Sequence, residues 1–465
     1  MKMRDMTLAQ ISSAVSGQFV GETEAMSRKV ESVVMDSRAV TSGSLFVAIE
    51  GERSDGHDYI ESSLKNGAVC CISEKVIDIP DGHYILVEST LQAIKDLAEF
   101  YRGLFPEVRF IGITGSVGKT TTKEMISAVL AEKYCVHKTS GNYNNEIGVP
   151  MTIFGLREGH EVSVVEMGIS DFGEMGRLTK IVRPDVVVMS NIGDSHLEFL
   201  GNREGVLRAK GEIFQCANPD GVAIVNGDDK LLVDMSPGDF APEAANMDKI
   251  CYGLGEDNDI KGKSIVNLGP RGMEFDIDLQ GRIIQAEVPA YGNHMVLAAL
   301  AAAAVGSRLG LTPEEIRRGI GHFENVGKRA DIIETGFLTL IDDCYNANPN
   351  SVKVALDSLA GLDGRRVAIL GDMGELGDNS AALHTETGKY AVTRTDCLIA
   401  VGDKAKEIYS GAKKTSESVE VWYFPNKEEL FSVLYTLVRK GDTVLVKASR
   451  SMKFEDIVSE LKGYV

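Results

Sequence analysis

A chain of 465 residues is long enough for about three compact units, and 43% hydrophobic content supplies a core for each of them. Its 49 lysines and arginines stand against 68 aspartates and glutamates, a net charge of −19. That balance argues against a general nucleic-acid or membrane-surface binder, although an anionic small molecule needs only a local basic pocket.

The start of the chain has no uniform apolar stretch of the signal-peptide kind, and its longest apolar run, 297–305, is mostly alanine and far too short to span a bilayer. Seven scattered cysteines without a C-x-x-C indicate neither zinc nor a disulfide framework. A cytoplasmic protein with reduced thiols is expected.

In chain order, 30–38 and 43–49 read as strands joined by a Gly-containing turn. Leu91, Ile94, Leu97, Ala98 and Tyr101 recur at helix spacing up to Pro106, where the first boundary is placed. The next stretch is the most informative. An apolar run from Phe110 to Ile113 ends in a turn from Gly115 to Gly118, followed by Lys119, Thr120, Thr121 and Thr122 and then a helical pattern through Met125, Ile126, Val129 and Leu130. Strand, glycine loop and helix in that order turn backbone N–H groups and a helix N-terminus toward a phosphate. Lys119 reaches the terminal phosphates in such a loop, and the Thr120 hydroxyl is placed for magnesium. Ile113 stands where the longer G-x-x-x-x-G-K-[ST] pattern has its first glycine, so the form here is the shorter T-G-x-x-G-K-T. An ordinary glycine-rich turn with a surface lysine is the bland alternative, which the Lys-Thr-Thr continuation and the flanking elements disfavour.

Buried strands at 110–113, 162–167, 185–189 and 222–225, alternating with helices, predict a parallel sheet covered on both faces. The polar stretch 230–290 reads as a smaller antiparallel portion, closed by an alanine-rich helix at about 293–309. From about 328, strands at 338–342, 366–370, 397–401 and 443–447 predict a second doubly wound unit. The fold class is therefore α/β in three domains, 1–105, 106–326 and 327–465.

Glu166 ends its strand at the edge where open parallel sheets bind ligands, and beside a phosphate loop its natural task is holding magnesium. Capping the next helix is the plainer alternative. His196 emerges at the same edge, and a neutral imidazole there can ligate a second metal. Lys210 lies on a probable helix, where lysines are usually solvated. Asn293 could simply cap the helix it precedes. Arg329 and the 342–349 turn would face the nucleotide across a hinge, although an Asn-Pro turn is also just a turn. Tyr345, Asn346 and Asn348 add phenol and amide groups that can hydrogen-bond a ligand at that turn.

T-G-S-V-G-K-T-T-T-K-E-M (114–125), G-N-Y-N-N-E-I-G-V-P (141–150), E-M-G (166–168), N-I-G-x-x-H-L-E (191–198), A-K-G-E-I-F (209–214), G-N-H (292–294), D-D-C-Y-N-A-N-P (342–349), G-D-M-G-E-L-G (371–377) and K-A-S-R-S (447–451) occur in one order. With D-S-R (36–38) and D-G-H-D-Y (55–59), they make the whole chain resemble the Mur ligase family. Within the family, T-T-K-E-M and Y-N-A-N-P resemble the branch that joins D-alanyl-D-alanine to UDP-N-acetylmuramoyl-tripeptide. The H-G-K-T and D-N-P-R motifs of sibling ligases are absent, Cys344 stands where serine is commoner, and Asp194-Ser195 replaces Glu-Ala.

The resemblance implies a UDP-binding N-terminal domain, a central P-loop ATPase-type domain and a C-terminal Rossmann-like domain. It implies ATP-dependent amide formation through an acyl phosphate, with two magnesium ions, in peptidoglycan precursor synthesis by a cytoplasmic monomer with no nucleic-acid or stable membrane partner. Gly115, Ser116, Val117, Gly118, Lys119, Thr120 and Thr121 would hold the ATP phosphates, and Thr120 and Glu166 the first magnesium. Lys210, as a carbamate, would support the second magnesium with His196. Asn293, His294, Arg329 and Asp343 would contact the nucleotide. Asp36, Ser37 and Arg38 would lie near the UDP end, and Asn142, Asn144 and Asn145 near the muramoyl group. Lys119, Lys210, His196 and Arg329 would carry the catalysis. A folylpolyglutamate synthase-like ligase and a P-loop nucleotide switch or ATPase that joins nothing are the alternatives.

Overall fold

The computed structural model describes residues 3–51, 54–78, 82–325 and 330–464, with Pro270 described by its backbone alone. Among the described residues, three large sheets succeed one another along the chain, beside one two-stranded pair near its start. The first orders Gln18–Val20, Tyr84–Leu86, Cys70–Ser73, Ser44–Val47 and Ser32–Val34 side by side, all parallel except the first pair. The strand expected at 30–38 is broken up here. Lys29–Val30 pairs with Met6–Thr7, Ser32–Val34 joins the sheet parallel to Ser44–Val47, and Ser37–Ala39 is a short 3-10 turn. Asp36 caps that turn by accepting a hydrogen bond from the Arg38 amide at 2.9 Å, which ends the extended run.

The central sheet has nine strands. From one edge they run Arg282–Val288, Met273–Leu279, Ile260–Asn267, Asp248–Gly253, Val222–Asn226, Val186–Met189, Arg109–Thr114, Val162–Glu166 and Val136–Lys138. Side chains alternate across it with the period of the pleat. Ile111 and Ile113 pack with Met125, Ile126 and Val129 of helix Lys119–Ala131, whereas Phe110, Val165 and Val187 face the opposite core. That second core continues into the first unit through Tyr101 and Phe105, and the Tyr101 hydroxyl donates to the Leu156 carbonyl at 2.9 Å. The 230–290 stretch is not a separate antiparallel portion. Asp248–Gly253 pairs parallel on both sides and extends the main ladder, and the antiparallel strands begin only at Ile260–Asn267. Helix Asn293–Arg308 buries its alanines against helix Lys119–Ala131, where small side chains let the two approach closely.

From Arg109–Thr114 the chain runs to the Val136–Lys138 edge, returns to Val162–Glu166, and then crosses to Val186–Met189 on the other side. The strand order therefore reverses around Arg109–Thr114, and the crevice beyond its C-terminal end is the position for a ligand. The third sheet orders Asp331–Glu334, Thr339–Asp342, Thr443–Lys447, Arg366–Gly371, Cys397–Val401 and Glu420–Phe424. It is parallel apart from the hairpin at its first edge and is cored on both faces. Among the described residues no helix is long and apolar enough to cross a membrane. All seven cysteines are free thiols.

Candidate active site

Strand Arg109–Thr114 delivers the chain to Gly115, whose φ of +149° and tight surroundings both demand glycine. A Cβ there would lie 2.0 Å from Ser190 Oγ. Gly118, at φ +84°, turns the chain into helix Lys119–Ala131. The end of the neighbouring strand braces the loop between them. The Val117 amide donates to Asn191 Oδ1 at 3.0 Å, and Ser190 Oγ donates to the Val117 carbonyl at 2.7 Å. Lys119 Nζ curls back to the Gly115 carbonyl at 2.8 Å.

Parallel register places Glu166 opposite Ile113, one step before that loop. Its carboxylate is 1% exposed, accepting from Thr120 Oγ1 at 2.8 Å and from Asn144 Nδ2 at 2.7 Å. Among the described residues no group of three or more His, Cys, Asp or Glu could hold a metal alone. One carboxylate beside one hydroxyl is nevertheless the oxygen-only donor set that suits magnesium, which keeps waters and substrate phosphates as its other ligands.

His196 sits in the left-handed conformation at φ +54° before the short helix Leu197–Leu200. Its Nδ1 lies 2.6 Å from Glu375 Oε2 of the third unit, a contact that holds the Glu375 carboxyl below its ordinary range. Lys210 is not the solvated helix lysine that composition suggests. On helix Arg203–Gly211 it is 1% exposed, and burial, reinforced by the nearby Lys119 charge, pushes its amine well below the usual lysine range.

A cleft of about 660 Å3 opens over the phosphate loop, and residues of all three sheet units line it. Leu91 and Lys95 come from the first unit; Ser116, Val117, Gly118, Lys119, Thr121, Asn144, Asn145, Glu166, His196 and His294 from the central one; Asp343, Tyr345, Asn346, Asn348 and Lys447 from the third. Gly115, Thr120, Lys210, Asn293 and Asn142 are not among the lining residues, nor are Asp36, Ser37 and Arg38, which lie on the first unit with the Arg38 side chain 88% exposed. Asn293 is also not the cap of its helix, because Gly292 occupies that position and Asn293 is the first helical residue. Arg329 lies outside the described residues, as do its neighbours 326–328.

The 342–349 turn is more than a linker. Lys447 Nζ donates to Asp343 Oδ2 at 2.6 Å and to the Asn346 carbonyl at 2.9 Å, so a lysine at the end of the neighbouring strand pins the turn. Asn348 Oδ1 accepts from the Ser351 amide at 2.8 Å and caps helix Pro349–Ala360, with Pro349 at its first turn. Asn145 likewise accepts from the Gly148 amide at 2.8 Å. Sequence reasoning assigned no role to Lys447, Glu375 or Lys123. Each stands within a quoted motif, but only the sheet order shows what it reaches.

A phosphate loop at the switch point of a parallel sheet, a buried carboxylate beside its threonine, and a third α/β unit closing the cleft define a three-domain P-loop nucleotide enzyme. Three family models divide the chain between them: Mur ligase family, catalytic domain, over residues 29–103; Mur ligase middle domain over 113–306; and Mur ligase, glutamate ligase domain, over 328–450. The chain is 37% identical over 438 residues to a Bacillus subtilis protein named UDP-N-acetylmuramoyl-tripeptide–D-alanyl-D-alanine ligase, covering 93% of each. It is 33% identical to the Escherichia coli protein of that name, covering 99% of each. A crystal structure of MurF from Acinetobacter baumannii superposes with a TM-score of 0.91 at 31% identity over 100% of both chains. MurF ligase from Thermotoga maritima in complex with ADP gives 0.82 at 30% identity, over 93% of this chain and 97% of that one. The chain belongs to the Mur ligase family.

Proposed function

We propose that the chain is an ATP-dependent ligase that joins D-alanyl-D-alanine to UDP-N-acetylmuramoyl-tripeptide, in cytoplasmic peptidoglycan precursor synthesis. The observation that carries this is a cleft in which a phosphate loop and the buried Glu166 face the Asp343–Lys447 turn of another unit, in a chain 33–37% identical across nearly its whole length to relatives named for that reaction. ATP with magnesium supplies, when bound, the phosphoryl group that activates the tripeptide carboxylate for attack by the dipeptide amine.

Every other role belongs to this chain's residues. Residues 115–121 cradle the phosphates, and Lys119 exchanges the Gly115 carbonyl for them, bringing fixed positive charge to a step that consists mostly of charge neutralisation. Thr120 and Glu166 hold magnesium. Asn293, His294, Arg329 and Asp343 bind the nucleotide. Asn142, Asn144 and Asn145 seat the muramoyl end, while Asp36, Ser37 and Arg38 bind the UDP end. Tyr345, Asn346 and Asn348 take the dipeptide. The labour then divides as UDP-substrate binding in 1–105, ATP binding in 106–326 and dipeptide binding in 327–465.

Lys210 is assigned as a carbamate that joins His196 at a second magnesium. Its depressed amine supports this, since only the neutral nitrogen bonds the carbon of CO2, releasing a proton and leaving an anionic ligand where the neutral amine stood.

ADP release is the test. With UDP-muramoyl tripeptides carrying lysine or diaminopimelate at the third position, ADP should form only when tripeptide and D-alanyl-D-alanine are both present. ATP hydrolysis without them would make the protein an ATPase instead. In the same assay Asn346→Ala and Tyr345→Phe should raise the KM for the dipeptide alone. Lys210→Arg should be inactive, and stripping CO2 should slow the wild type until bicarbonate restores it.

A further inference from the structure

Lys123 is buried to 0% exposure one turn into the phosphate-loop helix, and none of the chemistry above uses it. Its Nζ donates to the Thr139 carbonyl at 2.8 Å and to the Gly141 carbonyl at 3.3 Å. It lies 3.0 Å from Glu124 Oε1 and 3.9 Å from Glu166 Oε2. Glu124 in turn holds Lys138 Nζ at 2.5 Å. An ammonium taken wholly out of water is tolerated only where fixed oxygens replace its hydration. The four oxygens here belong to three segments: the phosphate-loop helix, the strand end bearing Glu166, and the stretch that leads into Asn142, Asn144 and Asn145. Two further bonds close the circuit, because Thr139 Oγ1 accepts from the Glu166 amide at 3.0 Å and Asn144 Nδ2 donates to the Glu166 carboxylate at 2.7 Å. Gly141, at φ +53° with nothing within 4 Å of a Cβ, is the loose point that one of these bonds fastens.

We propose that Lys123 is a positioning residue that sets the Glu166 carboxylate and the 139–145 loop as one unit, so that divalent-ion binding and seating of the UDP-peptide are coupled. The assignment rests on the reading of Glu166 as a magnesium ligand and of the asparagine loop as the muramoyl side. Groups that orient a metal's ligands typically cost roughly 10–100-fold in metal affinity or activity when removed. A lysine that merely filled space would change stability and leave both affinities alone.

The test uses the full-length protein in two variants. Lys123→Met/Glu124→Gln removes the buried lysine together with the carboxylate 3.0 Å from it, and Lys123→Gln keeps a shorter neutral donor. Mn2+ binding in the presence of ADP is read by EPR, and steady-state KM values are read for the UDP-tripeptide and for D-alanyl-D-alanine. Both variants should weaken Mn2+ roughly 10–100-fold and raise the UDP-tripeptide KM in step, with the dipeptide KM unmoved. Wild-type Mn2+ affinity, or movement of only one of the two, overturns the coupling. Glu166→Gln and Asn144→Ala are measured alongside. If those two leave Mn2+ binding and the UDP-tripeptide KM intact, the reading of the site itself fails, independently of Lys123.

Discussion

Burial moves titratable side chains at several points in the central unit, and His137 shows the effect on folding. Its Nδ1 lies 2.9 Å from Ser163 Oγ, and its ring centroid is 5.1 Å from that of His160. Burial, with repulsion from His160 and Arg157, holds its pKa down at about 3. In the unfolded chain the same imidazole titrates near pH ~6.5. The unfolded state therefore takes up a proton first. The stability from this residue is complete above about pH 6.5 and drains away as pH falls toward 3, by about 1 kcal/mol per pH unit. Urea titrations between pH 7 and 4 should show a shallower acid limb for His137→Gln than for the wild type, and parallel limbs would contradict this. Lys210 belongs to the same class. Its neighbours in sequence describe an exposed helix, and only the packing of that helix reveals a buried amine.

At the scale of elements, helices Ser380–Ala391 and Ala405–Thr415 approach so closely that two glycines are obligatory. A Cβ on Gly388 would lie 1.9 Å from the Ile408 carbonyl, and one on Gly411 would lie 2.2 Å from the Thr385 carbonyl. In sequence a mid-helix glycine reads only as a weak helix former. Gly388→Ala should cost about 1–3 kcal/mol through overpacking against backbone that cannot step aside. Gly103, at the end of helix Thr90–Gly103 with nothing within 4 Å, is the control. Gly103→Ala should be neutral or add up to about 1 kcal/mol. Chemical denaturation of the two variants decides the matter, and equal effects would mean that the close approach is not what constrains Gly388.

The whole molecule works by bringing three units around one cleft, and their meeting points are tight. Asn267 Nδ2 donates to the Gly361 carbonyl at 3.0 Å, His196 meets Glu375, and a Cβ on Gly193 would fall 2.0 Å from Asn350 Nδ2. Gly193→Val should hold the third unit away from the phosphate loop and lower kcat by roughly 10²-fold, the cost of an ångström-scale misplacement. The melting temperature should hold, and Asn350→Ala should restore much of the rate by vacating the space. Slow turnover that persists in the double variant would show that Gly193 acts within its own loop.

The glycine-lysine loop, the Val/Ile strands around it, the alanine-rich helix and the order of the three units are all legible in the residues alone. Each is written in residues close together along the chain, as a period of 2 or 3.6 or as glycines at a turn. The sequence also singled out Glu166, His196 and the 342–349 turn, because strand ends are legible and parallel sheets bind ligands there. That 248–253 continues the main ladder, that Asn348 spends its side-chain oxygen as a helix cap and that Asn145 spends its own on the Gly148 amide all depend on packing. The tertiary structure alone brought Lys447 to Asp343, Glu375 to His196 and Lys123 to Glu166. Strand order and domain contact join residues 43, 104 or 179 positions apart. Such pairings follow from which apolar faces bury one another across the whole chain, and no local pattern carries that information.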